Sequence, residues 1–394
     1  MLLFAIATFA AAATQAETLT VKIGYLGRAG EKKVPISLLD YPPANDGVAG
    51  ARLALVDDNG TGRFLGQRFE IEETRIKDMG EDTDPAAAVR EFADHGISLV
   101  ILDLPADLML KAADAGQGRG LVFFNAGATD DVLREEECRA NVVHTAPTRS
   151  MLADALAQYL VVKHWTRWLL VTGSHDGDKA FAEALRRAAA RFGARIVEER
   201  MFEDRGGARR TDSGLAQIQR QIPLFLQGAA AHDVVVAADE SAVFADYLPY
   251  RTRDPRPVAG SAGLVPKSWD PAMDQWGAEQ LQNRFMQMFS RRMTALDMQA
   301  WTAVRMIGEA ATRTSSADAR TMLAYMKGPD FGLAAFKGQK ITLRDWNLQL
   351  RQPILLADGR TIASVSPQEG FLHQFSELDT LGVDRPETKC RLKP

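Results

Sequence analysis

Between Trp165 and Gly207 the chain reads WTRWLLVTGSHDGDKAFAEALRRAAARFGARIVEERMFEDRGG, which is a buried strand, a small-residue loop, an amphipathic helix and a second strand. That succession constrains the fold more than any other segment. Strands joined through a helix pair in parallel, and a parallel sheet needs helices on both faces. In such sheets small molecules bind outside the carboxyl ends of the strands, so the loop Thr172 to Asp178 is the first place to look for a ligand.

Strand and helix signals alternate from residue 19 to about 266. Thr20–Tyr25 reads as a strand, and Gly47–Asp57 as a helix with Val48, Ala51 and Leu55 on its apolar side. Arg68–Ile76 is the next strand. Asp84 and Pro85 start a helix that buries Val89, Phe92 and Ala93 and stops at Gly96, ahead of the buried strands Ser98–Leu102 and Leu121–Asn125. Thr148–Ser150 cap a helix Met151–Val162, then come the strands Trp168–Val171, Asp233–Ala238 and Pro257–Leu264. After Pro266 two helices are expected, Ala278–Met293 and Met298–Thr312, followed by a strand-rich stretch Phe336–Pro353. The return to strands implies that the chain passes between two α/β units more than once.

Forty-seven Lys and Arg against 51 Asp and Glu give a net charge of -4, without the basic excess of a general nucleic-acid binder. The N-terminus MLLFAIATFAAAATQAET has the layout of a secretory signal over residues 1–16, too short to span a bilayer. No Lys or Arg precedes its apolar run, which leaves room for a start upstream, and a buried N-terminal helix competes with the signal reading. Cys138 and Cys390 are the two cysteines, and in an exported chain one disulfide is the economical reading, against two buried thiols. The six histidines form no pair spaced for zinc near either cysteine, so no metal is expected.

The strand-end loops supply a polar set: Gly27 and Arg28, Lys77 and Asp78, Asp103, then Asn125, Gly127 and Thr129, and in the second unit Ser174, His175, Asp176, Asp239 and Glu240. All fall on the ligand-facing edge if the sheets are parallel. For Asp78, Ser174 and Asp176 the competing role is a helix cap. The segment NGTGRFLG, Asn59–Gly66, lacks the strand-loop-helix context of a phosphate loop and reads as a turn. No nucleophile elbow or triad spacing is present, so catalysis is not expected. Trp301 lies on a helix with small neighbours Ala300 and Ala303, which suits core packing, the alternative being the floor of a cleft.

Several strings, IGYLG, IKDMGEDTDPAAAVREFADHGISLVI, FFNAGATDD, NVVHTAPTRSMLADALAQYLV and AFKGQKITLRDW, occur in the order seen in the branched-chain amino acid binding family of ABC transporters, across nearly all of the mature chain. The chain resembles that family of periplasmic solute-binding proteins. CRANVVHTAPTRSMLADALAQYLVVKHW, HDGDKAFAEALRRAAARFGA and GVDRPETKCRL further resemble a subgroup associated with pyrroloquinoline quinone-dependent alcohol dehydrogenase systems, where the quinone is the proposed ligand. Where the amino acid binders offer serine and threonine hydroxyls, this chain has Asn125-Ala126-Gly127-Ala128-Thr129, a departure that weighs against leucine-like ligands.

The resemblance implies an α/β protein of two Rossmann-like lobes joined by a multi-strand hinge, the type I periplasmic binding fold. The expected lobes are residues 17–145 plus 267–332 and 146–266 plus 333–394. It further implies a periplasmic monomer that hands a small carboxylated ligand to an inner-membrane ABC permease, with pyrroloquinoline quinone as the leading ligand and no required cofactor. An amino acid or other small carboxylate is the alternative, as is a sensor role beside an alcohol-oxidising system. A flat tricarboxylate wants basic forks and an aromatic plane. The candidate ligand residues are therefore Arg28, Lys77, Asn125, Thr129, Arg149, His175, Asp239 and Trp301, with Lys179 and Trp269 as further options, each competing with a solvated or packing role.

Overall fold

The computed structural model describes residues 18–29, 41–77, 79–80, 83–204 and 212–392, with the side chains of 212–216 excepted. The expected signal segment and Asp78 lie outside the described residues. The first lobe is built on β1 (Leu19–Ala29), β2 (Gln67–Lys77), β3 (Leu99–Asp103), β4 (Val122–Asn125) and β5 (Val142–His144). These pair in the order β2-β1-β3-β4-β5, parallel throughout. Helix α1 (Val48–Leu65) covers one face, and α2 (Ala86–Asp94) and α3 (Ala106–Ala115) cover the other.

The second lobe repeats the plan. Helix α4 (Arg149–Val162) leads into β6 (Arg167–Gly173), α5 (Asp176–Phe192), β7 (Arg195–Phe202), α6 (Asp212–Phe225), β8 (Val234–Ala238), α7 (Leu248–Arg251) and β9 (Val258–Gly260). The sheet order is β7-β6-β8-β9, again all parallel. Its central strands β6 and β8 carry almost unbroken apolar runs, as strands buried on both faces require, while the edge strand β7 is charged and part-exposed; α4 and α5 lie on one side and α6 and α7 on the other.

After β10 (Val265–Lys267) the chain returns to the first lobe as α8 (Ala278–Phe289), α9 (Ala295–Thr314) and α10 (Ala319–Met326). Helix α9 lies close along α1. A Cβ at Gly50 would come within 1.8 Å of the Asp297 carbonyl oxygen, and one at Gly308 within 2.5 Å of the Asp58 carboxylate. Then follow β11 (Leu333–Ala334), β12 (Lys340–Leu343), β13 (Leu350–Arg351), β14 (Ile354–Ala357) and β15 (Ile362–Ser366). The return to the second lobe comes later than the expected residue 333. Leu333, Ile341, Leu343, Leu348 and Leu350 bury in the first lobe's core, and Ile354 and Leu356 are the first to bury against α4.

The expected turn at Asn59–Gly66 is a helix end instead: α1 runs on to Leu65, and Gly66 closes it at φ 65°. The Asn59 side chain donates to the Phe69 carbonyl and accepts from the Phe69 amide, tying the glycine-containing turns to β2. Packing on α9 and β2 overrides the weak helix propensity of Gly60 and Gly62.

The chain crosses between the lobes after β5, after β10 and again around β13, and the first and third crossings run side by side, with His144 bridged to Gln349. Buried Arg134 ties them: Nε donates to Gln349 Oε1 at 2.9 Å, Nη2 to Ala146 O at 2.8 Å, and Nη1 to the carbonyls of Ala128 and Asp130. Burial lowers its pKa to about 10, opposed by the charges of Asp131 and Asp130. The C-terminal tail makes a further link. Gly382 is held in the second lobe, its amide on Asp154 and its carbonyl on Arg187 and Arg191. Lys389 N and Thr388 Oγ1 bond Glu135 of the first lobe, and Cys390 is joined to Cys138 with Cα atoms 5.7 Å apart.

Candidate functional site

The carboxyl-edge loops of the two sheets meet at one side chain, Arg149, the first residue of α4. Thr148 caps that helix by accepting the Met151 amide, which fixes the direction in which Arg149 leaves the chain. Its Nη1 donates to Asp130 Oδ1 at 2.7 Å, in the loop after β4. Its Nε and Nη2 form a two-pronged contact with Glu240 at 2.9 and 2.8 Å, in the loop after β8. The Arg149 amide donates to the Thr129 carbonyl, and the Ser150 amide to Asp131. One guanidinium therefore bonds carboxylates from both lobes while keeping only 10% of its side chain exposed. Burial works against its charge, but Glu240 and Asp130 outweigh it and hold the pKa above the ordinary arginine value. Gly177, at the start of α5, completes the junction, since a Cβ there would come within 2.8 Å of Glu240 Oε2.

The structure brings Thr129 and Arg149 together and disperses the other expected residues. Arg28 and Lys77 lie exposed near the ends of the adjacent strands β1 and β2. Asn125 is fully buried and shapes its own loop: its oxygen accepts the Ala128 amide, and its Nδ2 donates to Ala128 O and to His144 Nδ1. Burial, then the Arg134 charge, keeps the His144 ring well below its usual pKa, so it is neutral and Nδ1 accepts. Asp239 is consumed by three backbone amides, those of Val243, Phe244 and Ala245, which makes it a loop anchor. His175 pairs with Asp204 at 2.8 Å and precedes α5, and Lys179 pairs with Asp176 on the surface. Trp301 and Trp269 are buried in the first lobe's core, with Trp301 Nε1 3.4 Å from Asp57, which removes both from a stacking role in a cleft.

Asp178 explains the compactness of the loop Thr172–Asp178. It accepts the Ser241 amide and hydroxyl and the His175 amide, stitching the loop after β6 to the loop after β8. Gly173 leaves room for it, as a Cβ there would meet Asp178 Oδ2 at 2.3 Å. In the first lobe Tyr25, buried within β1, bonds Asp103 at 3.2 Å, and burial raises the phenol's pKa further from ionisation. Asp130 and Asp131 were not among the sequence candidates, and Glu240 was only one member of the strand-end set. Their one sequence signal was position after a strand, which Asp239 shares. Among the described residues no cluster of His, Cys, Asp or Glu could hold a metal ion, and no helix is long and apolar enough to cross a membrane.

Comparison with known proteins bears on this arrangement. A family profile described as periplasmic binding protein matches residues 40–360. No curated protein matches the sequence. Among solved structures, a branched-chain amino acid ABC transporter periplasmic ligand-binding protein from Burkholderia xenovorans superposes with TM-score 0.73 at 16% identity, over 94% of this chain and 99% of that one. A leucine-, isoleucine-, valine-, threonine- and alanine-binding protein from Brucella ovis, in its closed conformation, gives 0.69 at 13%, over 96% and 100%. A solute-binding protein of an ABC transporter from R. palustris, in complex with benzoate, gives 0.63 at 13%, over 95% and 100%. At these identities the likeness is one of fold.

Proposed function

The chain belongs to the periplasmic binding protein family, and from that premise we propose that it is the ligand-capturing component of an ABC transporter, taking a small carboxylate such as an amino acid between its lobes. The observation that carries this reading is the junction at Arg149, where the carboxyl edges of two parallel sheets meet across the crossings. A family of binding proteins captures and releases its solute without transforming it. The work is therefore lobe closure: ligand contacts to both edges favour the closed state by the difference between its closed-state and open-state affinities. The closed form then docks on a membrane permease.

The ligand's charge pattern follows from the same junction. Arg149 is matched by Asp130 and Glu240, so a ligand's acid group placed on it competes with those carboxylates, and a ligand's ammonium competes with Arg149 for them. An amino acid carries both groups. The named ligands of the fold relatives, branched-chain amino acids and benzoate, support a small carboxylate over the larger pyrroloquinoline quinone. The quinone rests on the resemblance of sequence strings alone, and the aromatic plane expected from Trp301 is buried.

A titration separates the ligands. The mature protein is titrated with leucine, phenylalanine, benzoate and pyrroloquinoline quinone, following tryptophan fluorescence and heat. Saturable micromolar or tighter binding of an amino acid is expected. Binding of the quinone alone would reverse the preference, and no binding by any of the four would remove the small-carboxylate reading.

A further inference from the structure

Away from the interlobe junction, a cavity of about 520 Å3 opens beside the β11–β12 hairpin, lined among others by Trp276, Phe336, Lys337, Gly338 and Lys340. Its volume lies in the range of small-molecule sites. Two of its aromatic residues hold left-handed backbone, Trp276 at φ 54° and Phe336 at φ 54°. Bulky side chains rarely adopt this conformation, and where they do the surrounding structure has to impose it. Glycines make room for both rings. The Trp276 ring lies directly on Gly338, where a Cβ would come within 2.5 Å of it, and Phe336 lies against Gly277. The indole remains 48% exposed, so its position does not serve to bury it.

The cations are placed in the same way. The Lys340 stem crosses Gly332 so closely that a Cβ there would meet Cε at 1.5 Å, and its ammonium has no carboxylate partner among the described residues. Lys337 is 3% exposed, also without a carboxylate, and donates to Gln352 Oε1 at 2.5 Å. The Gln352 amide in turn donates to Thr145 O in the first crossing. The cavity thus combines two aromatic rings seated over glycines, an ammonium without a carboxylate partner among the described residues and a wall one hydrogen-bonded step from the hinge.

We propose that this cavity is a second ligand site, separate from the Arg149 junction, for a planar aromatic acid of one or two rings: its ring lies against Trp276 and Phe336 and its carboxylate meets Lys340. An aromatic ring offers offset-stacked or edge contacts to the indole, and the acid group supplies the charge that Lys340 lacks. The site needs neither closure of the lobes nor the identity of the transported solute.

The probe is 2-naphthoate, titrated into the mature protein by calorimetry, with cyclohexanecarboxylate and 2-naphthamide as controls that lack the π-face and the charge. Saturable binding of the naphthoate is expected, at least tenfold tighter than either control. Trp276→Leu and Lys340→Gln should each weaken it at least tenfold without altering the affinity of the solute bound at Arg149. Lys340 is exposed, so K340Q decides the matter even if W276L fails to fold. No saturable binding of naphthoate at millimolar concentration would overturn the proposal. So would binding that both variants retain within twofold, because the acid would then sit elsewhere.

Discussion

The two lobes present the same structural address, the carboxyl edge of a parallel sheet, and use it differently. In the second lobe the strand-end acids are turned inward. Asp178 accepts from His175 and Ser241, and Asp239 accepts three amides of its own loop, so both close the edge on itself. In the first lobe the loop after β4 is shaped from below by Asn125 and Arg134, which leaves Thr129 and Asp130 half-buried at the boundary. Glu240 is the acid of the second lobe that reaches back, and Arg149 is where the two edges join. Position at a strand end therefore nominates a ligand residue, and whether its hydrogen bonds close its own loop, as at Asp239, or reach across to the other lobe, as at Glu240, separates anchor from candidate.

The largest expected effect tests whether the lobes are held by more than this junction. The disulfide closes a separation of 252 residues and ties the tail of the second lobe to the first. By loop entropy the C138S/C390S pair should lose on the order of 5 kcal/mol, read by urea unfolding. An unchanged midpoint would mean that Glu135 and its tail partners hold the link alone.

Next comes the contrast itself. Asp239→Ala leaves three buried amides without an acceptor and should cost about 2–4 kcal/mol of stability while leaving ligand affinity unchanged. Asp130→Ala should do the reverse, shifting affinity at least severalfold with less than about 1 kcal/mol of stability lost. If both variants change the same quantity, the distinction between an inward and a boundary acid fails.

A smaller effect appears with pH. Burial pushes the Lys337 amine from 10.5 to about 7 in the folded protein. The unfolded chain then binds more protons between these values, so stability contributed by this site rises from about pH 7 toward 10.5, and its penalty is fully present below 7. Lys337→Met should be more stable than the parent at pH 6 by about 1–3 kcal/mol, with the gap closing toward pH 10. Parallel stability curves across that range would show that Lys337 is not held neutral by burial. The smallest effect concerns α1. Gly60 faces open space in the helix, so Gly60→Ala should add about 0.5–1 kcal/mol, whereas Gly62→Ala meets the Gln67 carbonyl at 2.8 Å and should not.

Much of the fold was legible because periodicity reports burial, and the strands that matter most are buried on both faces. The unit from Trp168 to Phe202 and the cap at Thr148 appear in the structure within a residue or two of their expected places. What the sequence hid depends on partners distant in the chain. Asn59–Gly66 looks like a turn until α9 packs against it, and Leu333–Leu350 looks like second-lobe material until its apolar side finds the first lobe's core. The site was harder to read for the same reason. Trp301 and Asn125 are chemically apt for a ligand but are claimed by Asp57, Ala128 and His144. Arg134, in the acidic string before Cys138, gave no local sign that it ties two crossings.

We propose that solute is captured between the lobes at Arg149. Small-angle scattering on the protein with and without the tightest ligand of the panel, repeated on Arg149→Met, tests it most directly. A smaller radius of gyration on binding, with affinity weakened at least tenfold and compaction lost in the variant, is the predicted result. Equal affinity and equal compaction in Arg149→Met would contradict the account.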